Sequence, residues 1–277
     1  MDNKKVWLIT GASKGLGRSL VLQLLGKGVK VAATSRSLAA LEDISQDSNY
    51  LPLGVDLASE DSIQMAVAET IRQFGRIDIL VNNAGYAQIG SLEELSDGEI
   101  RDNFDVNVFG LFNFTRQVLP YMRAQQSGRI FNISSIAGFT GNFPGFSSYC
   151  ATKFAVDGLS ESLAAEVKPF GIKVTIVSPG YFRTAFLSNS SLGVPANPLA
   201  AYESVRATQE AHQQQINGNQ PGDPEKAVAT IIEMADVAQP PLHLFLGQDA
   251  YEMAYKKIEA VKADLEAWKA QTVATSY

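Results

Sequence analysis

The sequence predicts an α/β fold in which a parallel sheet lies between two layers of helices. The first observation is an alternation along the chain, in which short runs of β-branched and apolar residues are followed by longer amphipathic segments. The second is that the short runs have the composition of strands that are buried on both faces. The third is that 277 residues with a hydrophobic content of 45% can bury a full core.

Seven runs are candidate strands, and helical patterns lie between them. The strands are KVWLIT, VKVAATS, YLPLGV, IDILVNNA, GRIFNIS, IKVTIVS and LHLFLG. The helices cover roughly residues 15–28, 37–47, 59–74, 97–125, 147–168 and 223–236. Strands separated by helices imply right-handed crossovers, so we expect a doubly wound, Rossmann-like fold with a seven-stranded parallel sheet and helices on both faces. No Pro/Ser-rich linker or long charge run divides the chain, and residues 1–277 are expected to form one domain.

Two segments interrupt this alternation. Residues 185–222, rich in Ser, Asn, Gln and Ala, follow the sixth strand, and so long a connection is typical of a lid or binding loop. A tolerated surface insertion is the alternative. The last segment, from residue 248 onward, reads as a terminal helix with one apolar stripe, which we expect to face the core or another subunit. The stripe consists of Tyr255, Ile258, Val261, Leu265 and Trp268.

Charge and composition exclude several classes of function. The 23 basic and 29 acidic residues are interspersed and give a net charge of -6, so we expect no nucleic-acid partner. No apolar run is long enough to span a bilayer and no signal peptide precedes the first strand, which predicts a cytoplasmic protein. We expect no metal site. The single cysteine, Cys150, has neither His212 nor His243 nearby in sequence, so a nucleophilic role is a minor alternative.

A glycine-rich turn joins the first strand to the first helix. The segment LITGASKGLGRSL lets the backbone approach a pyrophosphate, whose negative charge meets the N–H groups at the start of the helix. The spacing differs from the G-x-G-x-x-G fingerprint, so a tight turn without a ligand is the alternative. The residues expected to contact a dinucleotide cofactor here are Gly11, Ser13, Lys14, Gly15, Leu16 and Gly17.

The end of the second strand indicates which dinucleotide binds. A protein that binds NAD often carries a carboxylate at this point, whereas this chain has Ser35 and Arg36. A cation accommodates a 2′-phosphate that a carboxylate would repel, and Lys14 offers a second positive charge. We therefore expect NADP(H), the alternative being that each cation is an ordinary surface residue.

The next two strand ends add further candidate contacts. Asp56, followed by Leu57, can accept a hydrogen bond from the adenine amino group or can cap the following helix, for which Ser59 is the better candidate. The segment VNNAG allows the cofactor ribose and adenine to approach the backbone, although in isolation it is an Asn/Gly turn. Its candidate residues are Asn83, Ala84 and Gly85.

The segment SSIAGFTGNFPGFSSYCATK carries the candidate chemistry. Tyr149 and Lys153 are four residues apart and share one helical face. A neighbouring ammonium is expected to lower the pKa of a phenol from its usual value of about 10. Such a tyrosine can protonate a ketone oxygen as hydride arrives, and Ser135 can hold the same oxygen. The alternatives are an ordinary helix-surface pair and a turn serine.

The chain resembles the classical short-chain dehydrogenases/reductases. The resemblance covers about residues 4–184 and rests on TGASKGLG, NNAG, FDVNVFG, SSIAG, YCATK and SPGYFRT in the family's order. It implies that Tyr149 is the proton donor or acceptor, Ser135 a ligand of the substrate oxygen, and Lys153 a ligand of the cofactor ribose that also tunes the tyrosine. It further implies that Asn107 holds a water in a proton relay, although read alone Asn107 indicates a local helix bend or a buried hydrogen bond.

The same resemblance assigns the SPGYFRT segment. Pro179 and Gly180 are expected to pass the nicotinamide, and Thr184 to bond its carboxamide or the phosphates. The separation between Ser135 and Tyr149 is one residue longer than the common family spacing, which leaves Ser134 as an alternative serine. Homodimers or homotetramers, in which helices 97–125 and 147–168 pair across subunits, are also implied.

These observations favour an NADP(H)-dependent oxidoreductase that acts on a hydrophobic ketone or secondary alcohol. The residues expected to form an apolar pocket are Phe139, Phe143, Phe146, Tyr181, Phe182, Phe186 and Leu187. A 3-oxoacyl thioester reductase is one alternative, disfavoured because Arg206 is the one Lys or Arg in the 185–222 insertion. A non-catalytic NADP(H)-sensing protein is another, disfavoured because the catalytic set is complete.

Overall fold

A computed structural model describes residues 5–188 and 191–276. Its strands are β1 (Val6–Ile9), β2 (Lys30–Ser35), β3 (Tyr50–Gly54), β4 (Ile79–Asn82), β5 (Ala87–Gln88), β6 (Gly128–Ile133), β7 (Ile172–Pro179), β8 (Leu192–Gly193) and β9 (His243–Leu246). Seven of them form a parallel sheet in the order β3-β2-β1-β4-β6-β7-β9, while β5 and β8 pair separately. The predicted doubly wound, Rossmann-like architecture is confirmed.

Helices cover both faces of this sheet. They are α1 (Gly15–Leu25), α2 (Glu60–Phe74), α3 (Asp97–Phe104), α4 (Gly110–Gln125), α5 (Ser147–Val167), α6 (Glu203–Glu210), α7 (Pro224–Met234), α8 (Gln248–Ala267) and α9 (Lys269–Val273). The predicted helix over 97–125 is divided into α3 and α4 by a π-helical turn, Asp105–Phe109. Asn107 lies in that turn, which agrees with the expected local irregularity.

The predicted helix over residues 37–47 is wrong. This segment contains a single short 3₁₀ turn, Leu38–Ala40, followed by irregular turns. The Ser45 hydroxyl accepts a hydrogen bond from the Asp47 backbone N–H (3.0 Å), and the Asp47 carboxylate accepts one from Asn49 (2.9 Å). These local bonds satisfy the backbone without a helix, which is why short polar side chains favour turns.

Alternate residues of each central strand pack against opposite layers. Trp7 and Ile9 of β1 belong to the core formed with α1 and α7, whereas Leu8 belongs to the core formed with α2 and α4. Leu8 lies opposite Ala32 of β2 and Leu80 of β4, so the register aligns apolar residues across the sheet. Because successive side chains point to opposite faces and both faces are covered, the strands carry apolar residues on both faces.

The strand order reverses between β1 and β4, and their carboxyl ends open onto one crevice. The Thr10 hydroxyl accepts hydrogen bonds from the backbone N–H groups of Asn83 and Ala84, each 3.0 Å long, and so ties the two strand ends together. Gly11 has a φ of +66°, and a Cβ there would lie 2.6 Å from the Ala84 Cα. The close approach of the two turns therefore requires glycine.

The insertion over 185–222 folds over this crevice. It contains a 3₁₀ turn (Ala185–Leu187), β8, α6 and a π-helical turn (Ala211–Ile216), while residues 189 and 190 lie outside the described ranges. The fully buried Glu94 carboxylate accepts hydrogen bonds from Arg206 and from the Leu199 N–H, both at 2.8 Å. The insertion is therefore held to the body of the protein by a buried ion pair.

The apolar stripe of the last helix is solvent-exposed. Every described residue from Tyr255 onward is exposed, including Trp268 with an exposed fraction of 62%. Of the two expected roles, a place in the core is therefore excluded for the single chain, and contact with another subunit stays a prediction. Among the described residues, no helix combines the length and apolarity that a bilayer span needs.

Candidate active site

A cavity of about 700 Å³ lies at the carboxyl edge of the sheet. The predicted site residues that line it are Gly11, Ser13, Lys14, Gly15, Leu16, Ser35, Arg36, Asp56, Leu57, Asn83, Ala84, Gly85, Ser135, Tyr149, Lys153, Pro179, Gly180 and Thr184. Two predicted residues, Gly17 and Asn107, are not part of its lining. The fold thus brings one end of the glycine turn and the Tyr149 segment to the same cavity.

The Asn83 side chain stabilises the conformation of the glycine turn. Its side-chain amide donates hydrogen bonds to the carbonyls of Thr10 (2.9 Å) and Gly11 (3.0 Å). Gly17 lies beneath this amide, since a Cβ there would be 2.5 Å from Nδ2 of Asn83. Asn83 and Gly17 therefore shape the turn. α1 begins directly after Lys14, and the first N–H groups of a helix have no partner within the helix, so they can bind an anion.

Lys14 and Arg36 form the positive end of the cavity. The pKa of Lys14 is lowered, first by burial and second by the positive charge of Arg36. Both side chains therefore lie within electrostatic range of each other, and both residues line the cavity. An anion bound between them would relieve their mutual repulsion. Thr184 lies on the other side of the turn, with its Cβ 3.7 Å from where a side chain on Gly15 would begin.

The Asp56 carboxylate is hydrogen-bonded within its own turn. Its carboxylate accepts a hydrogen bond of 3.0 Å from the Ala58 N–H, and the side chain lines the cavity. Ser59 caps α2 by accepting a hydrogen bond from the Ser62 N–H at 3.2 Å, so the predicted N-cap is confirmed.

Ser135, Tyr149 and Lys153 meet at the inner end of the cavity. Ser135 follows β6, and its side chain lies close enough to the Tyr149 hydroxyl to favour the phenolate and lower the pKa of that phenol. The Lys153 ammonium lies 5.8 Å from the centre of the Tyr149 ring. The alternative serine, Ser134, points elsewhere, since its hydroxyl donates to the Lys153 carbonyl (3.5 Å) and interacts with Asp157.

Burial has the largest effect on the pKa values of Tyr149 and Lys153. It raises the pKa of Tyr149 well above the usual value, an effect that the nearby Ser135 side chain opposes. Burial also lowers the pKa of Lys153 to about 8, against the opposing effect of Asp157. The expectation that Lys153 lowers the phenol pKa is therefore wrong for the protein alone, because desolvation of the phenolate dominates. At neutral pH the phenol is protonated and the ammonium is charged.

Asn107 is buried behind the cavity wall. Its Oδ1 accepts a hydrogen bond from the Tyr86 N–H (3.0 Å), while its Nδ2 donates to the Tyr86 carbonyl (2.9 Å) and the Thr152 hydroxyl (3.1 Å). A Cβ on Gly85 would lie 3.0 Å from this Oδ1 and 3.6 Å from the Lys153 Nζ. A methyl group at position 85 would therefore contact both the Asn107 amide and the Lys153 ammonium.

The outer wall of the cavity is aromatic. Six of the seven expected pocket residues line it: Phe143, Phe146, Tyr181, Phe182, Phe186 and Leu187. Phe139 does not, because it packs edge-on against Phe245 at a centroid distance of 5.1 Å. The Tyr181 N–H donates a 2.7 Å hydrogen bond to Asp249 of α8, and a Cβ on Gly180 would overlap that carboxylate.

Sequence reasoning missed two polar residues of the site. His212, in the π-helical turn of the insertion, lines the cavity and lies 2.9 Å from the Tyr181 hydroxyl. Nothing in the local sequence signals that contact. Asp157 is buried one helical turn beyond Lys153, and this spacing was readable from the sequence. Cys150 is buried with its pKa raised to about 11 by burial, which argues against a nucleophilic role.

The glycine turn and the Tyr149 segment thus line one cavity, and a hydride-transferring oxidoreductase needs a dinucleotide site and a proton donor together in this way. A family model described as short chain dehydrogenase matches residues 5–193, and the chain belongs to that family. It is 34% identical to an oxidoreductase, BOA17, of Botryotinia fuckeliana, over 98% of this chain and 99% of the relative. It is 38% identical to a 3-ketodihydrosphingosine reductase of Bacteroides thetaiotaomicron, over 88% of each chain.

A solved structure extends the similarity to the whole chain. A short-chain dehydrogenase from Streptomyces avermitilis superimposes with a TM-score of 0.90 at 39% identity. The match covers 99% of this chain and 98% of that one, so it includes the insertion and the last helices. The protein is thus an oxidoreductase of the short chain dehydrogenase type.

Proposed function

We propose that the protein is an NADP(H)-dependent oxidoreductase that interconverts a hydrophobic ketone and its secondary alcohol. One observation carries this proposal: Tyr149, Ser135 and Lys153 line the same largely apolar cavity as the glycine turn. The nicotinamide, when bound, supplies or accepts the hydride.

Each residue of the group has a distinct part in ketone reduction. Tyr149 gives its proton to the carbonyl oxygen, and its raised pKa keeps that proton in place until the reaction needs it. Ser135 donates a hydrogen bond that holds the same oxygen. The Lys153 ammonium stabilises the phenolate that the transfer leaves behind. In alcohol oxidation the same residues act in reverse.

Preference for NADP(H) is supported by the Lys14 and Arg36 pair. Neither Ser35 nor Arg36 offers the carboxylate that would bind ribose hydroxyls, and two close cations favour a phosphate. Gly11 and the start of α1 would hold the pyrophosphate. Pro179, Gly180 and Thr184 would border the nicotinamide.

The substrate is proposed to be a hydrophobic carbonyl compound. The aromatic wall supports it, as does similarity to a reductase of 3-ketodihydrosphingosine. Reduction of a carrier-bound 3-oxoacyl thioester is less favoured, because Arg206 is paired with the buried Glu94 and does not provide a basic entrance for a phosphopantetheine.

We also propose a homodimer or homotetramer. The exposed aromatic residues Phe109, Phe112 and Tyr121, beside or on α4, and Phe154 on α5 support pairing of these helices across subunits. Light scattering should give an oligomeric mass that falls to the monomer mass in Phe112→Glu/Phe154→Glu. A monomeric mass for the unaltered protein would contradict the proposal.

The test of the activity is consumption of NADPH with a panel of aromatic, steroid and aliphatic ketones, with NADH in parallel. Tyr149→Phe should lower kcat by roughly 100-fold or more, since proton transfer typically contributes that factor. Tyr251→Phe, which removes an exposed hydroxyl on α8, is the matched control and should behave as wild type. Tight NADPH binding without turnover of any ketone would favour the sensing alternative.

A further inference from the structure

Tyr181 and His212 form a polar pair in the aromatic wall of the cavity. Tyr181 follows β7, His212 belongs to the insertion, and the tyrosine Oη lies 2.9 Å from the histidine Nε2. Both side chains line the cavity that contains Tyr149. The mechanism proposed for Tyr149, Ser135 and Lys153 makes no use of either.

The direction of each hydrogen bond in this pair follows from its partners. His212 Nδ1 lies 2.8 Å from the Thr208 carbonyl oxygen, which can only accept, so Nδ1 carries the hydrogen. Nε2 of the neutral ring then has a lone pair, and the Tyr181 hydroxyl donates to it. Burial lowers the pKa of His212, and the Phe146 ring packs 4.8 Å from the imidazole, so the neutral form is the stable one.

The Tyr181 hydroxyl and the His212 Nδ1–H group therefore both donate to acceptors within the protein. What remains for a ligand is the oxygen of Tyr181, an acceptor with spare lone pairs in a mostly aromatic wall. The segment is held in position because the Tyr181 N–H donates to Asp249. A rigid acceptor in apolar surroundings selects a ligand that brings a hydrogen-bond donor.

Phe146 lies next to both polar groups. Its ring packs against Tyr149 at a centroid distance of 6.2 Å and against His212 at 4.8 Å. Tyr181 also lies close enough to Tyr149 for its charge to raise the pKa of that phenol. A substrate whose carbonyl reaches Tyr149 can therefore place a second polar group against Tyr181 in the same cavity.

We propose that the Tyr181–His212 pair is a substrate-recognition site that accepts a hydrogen bond from a hydroxyl group remote from the reacting carbonyl. The substrate is accordingly a hydroxyl-bearing hydrophobic ketone, and this assignment rests on the proposed function. A hydrocarbon ketone of the same shape would leave the Tyr181 oxygen desolvated and without a donor.

Binding of matched ketones to the NADP⁺ complex, in which no ketone is reduced, tests the proposal by titration calorimetry. The probes are 4-hydroxyacetophenone and 3-hydroxyacetophenone, each compared with the ketone that has a methyl group in place of the hydroxyl. At least one hydroxyl ketone should bind about fivefold to tenfold more tightly than its methyl counterpart. Tyr181→Phe should reduce that ratio to near one.

Two further variants make the result specific. Tyr149→Phe should keep the hydroxyl preference, because the preferred acceptor is not the catalytic hydroxyl. His212→Leu releases the Tyr181 hydrogen, so binding should shift toward 4-methoxyacetophenone, which can only accept. A wild-type ratio near one, no measurable binding of any probe, or a preference that survives Tyr181→Phe or disappears in Tyr149→Phe would overturn the proposal.

The binding and activity measurements distinguish a failure of the proposed oxidoreductase function from a failure of the recognition site. Hydroxyl-selective binding without reduction of any ketone would contradict the proposed function and leave the recognition site standing. Reduction of ketones without hydroxyl preference would contradict the recognition site alone.

Discussion

The Lys153 ammonium donates a hydrogen bond of 2.9 Å to the carbonyl oxygen of Ile133, the last residue of β6. The lysine comes from α5, so this bond fixes a helical side chain to the end of a central strand. The ammonium is thereby held beside the Tyr149 ring and beneath Gly85. Its position is set by the sheet as well as by the helical spacing.

Lys153→Met should lower kcat by roughly 100-fold, because the phenolate formed on Tyr149 loses its nearest positive charge. Steady-state kinetics with the best ketone of the panel provides the measurement. Lys168→Met, an exposed lysine just beyond the same helix, is the control and should keep the wild-type rate. An unchanged kcat in Lys153→Met would show that the ammonium does not act on the phenol.

Asp157→Asn should shift the pH dependence of activity. The Asp157 carboxylate favours the charged form of Lys153, whose pKa is about 8, so removing it should lower that pKa. The ammonium form is present below its pKa, and the alkaline loss of activity should therefore move about one unit toward lower pH. The measurement is kcat/KM for NADPH as a function of pH, which reports the free enzyme.

Other groups near Asp157 define the control for that experiment. Ser134, His243 and Glu161 also act on its carboxyl group, which burial holds at a pKa of about 6. Glu161→Gln removes an exposed carboxylate one turn further along α5 and should leave the alkaline limb in place. Identical profiles for Asp157→Asn and wild type would contradict the assigned coupling to Lys153.

Glu94→Gln should destabilise the insertion over the cavity. Burial raises the pKa of Glu94, but hydrogen bonds from Ser91 and Leu199 and the charge of Arg206 outweigh that effect and leave the pKa below its usual value. Removing the buried charge takes away the ionic partner of the part-exposed Arg206 and should cost about 2 kcal/mol in the free energy of unfolding.

Chemical denaturation measures that loss, and KM for the ketone should rise as the insertion loosens. Glu93→Gln is the matched control, because Glu93 is exposed and accepts a hydrogen bond from the Tyr202 hydroxyl. Equal stability of the two variants would contradict a special role for the buried ion pair.

Arg36→Ala should weaken NADPH binding by roughly 10-fold to 100-fold and leave NADH binding nearly unchanged, since a charged hydrogen bond to the 2′-phosphate is lost. The ratio of kcat/KM for the two cofactors is the readout. Arg18→Ala is the control, because that guanidinium is paired with Asp43 at 3.1 Å. A wild-type preference for NADH would refute the assigned role of Arg36 and Lys14.

Much of the fold was predictable from the sequence because its signals are local. Continuous apolar strands, the glycine turn and the four-residue spacing of Tyr149 and Lys153 are properties of short segments. The order of those segments indicated the doubly wound sheet, in which the carboxyl ends of β1 and β4 share one crevice. The error over residues 37–47 was also local, because the side chains of Ser45 and Asp47 compete with the helix for backbone hydrogen bonds.

The sequence by itself therefore determined the strands, the turn and the residues that carry the candidate chemistry. Tertiary structure alone decided that burial raises the pKa of Tyr149, that Glu94 holds Arg206, and that His212 meets Tyr181. Each of these depends on groups far apart in the chain, or on how completely packing excludes water. Desolvation and long-range contacts exist only once the chain has folded, so no short segment encodes them.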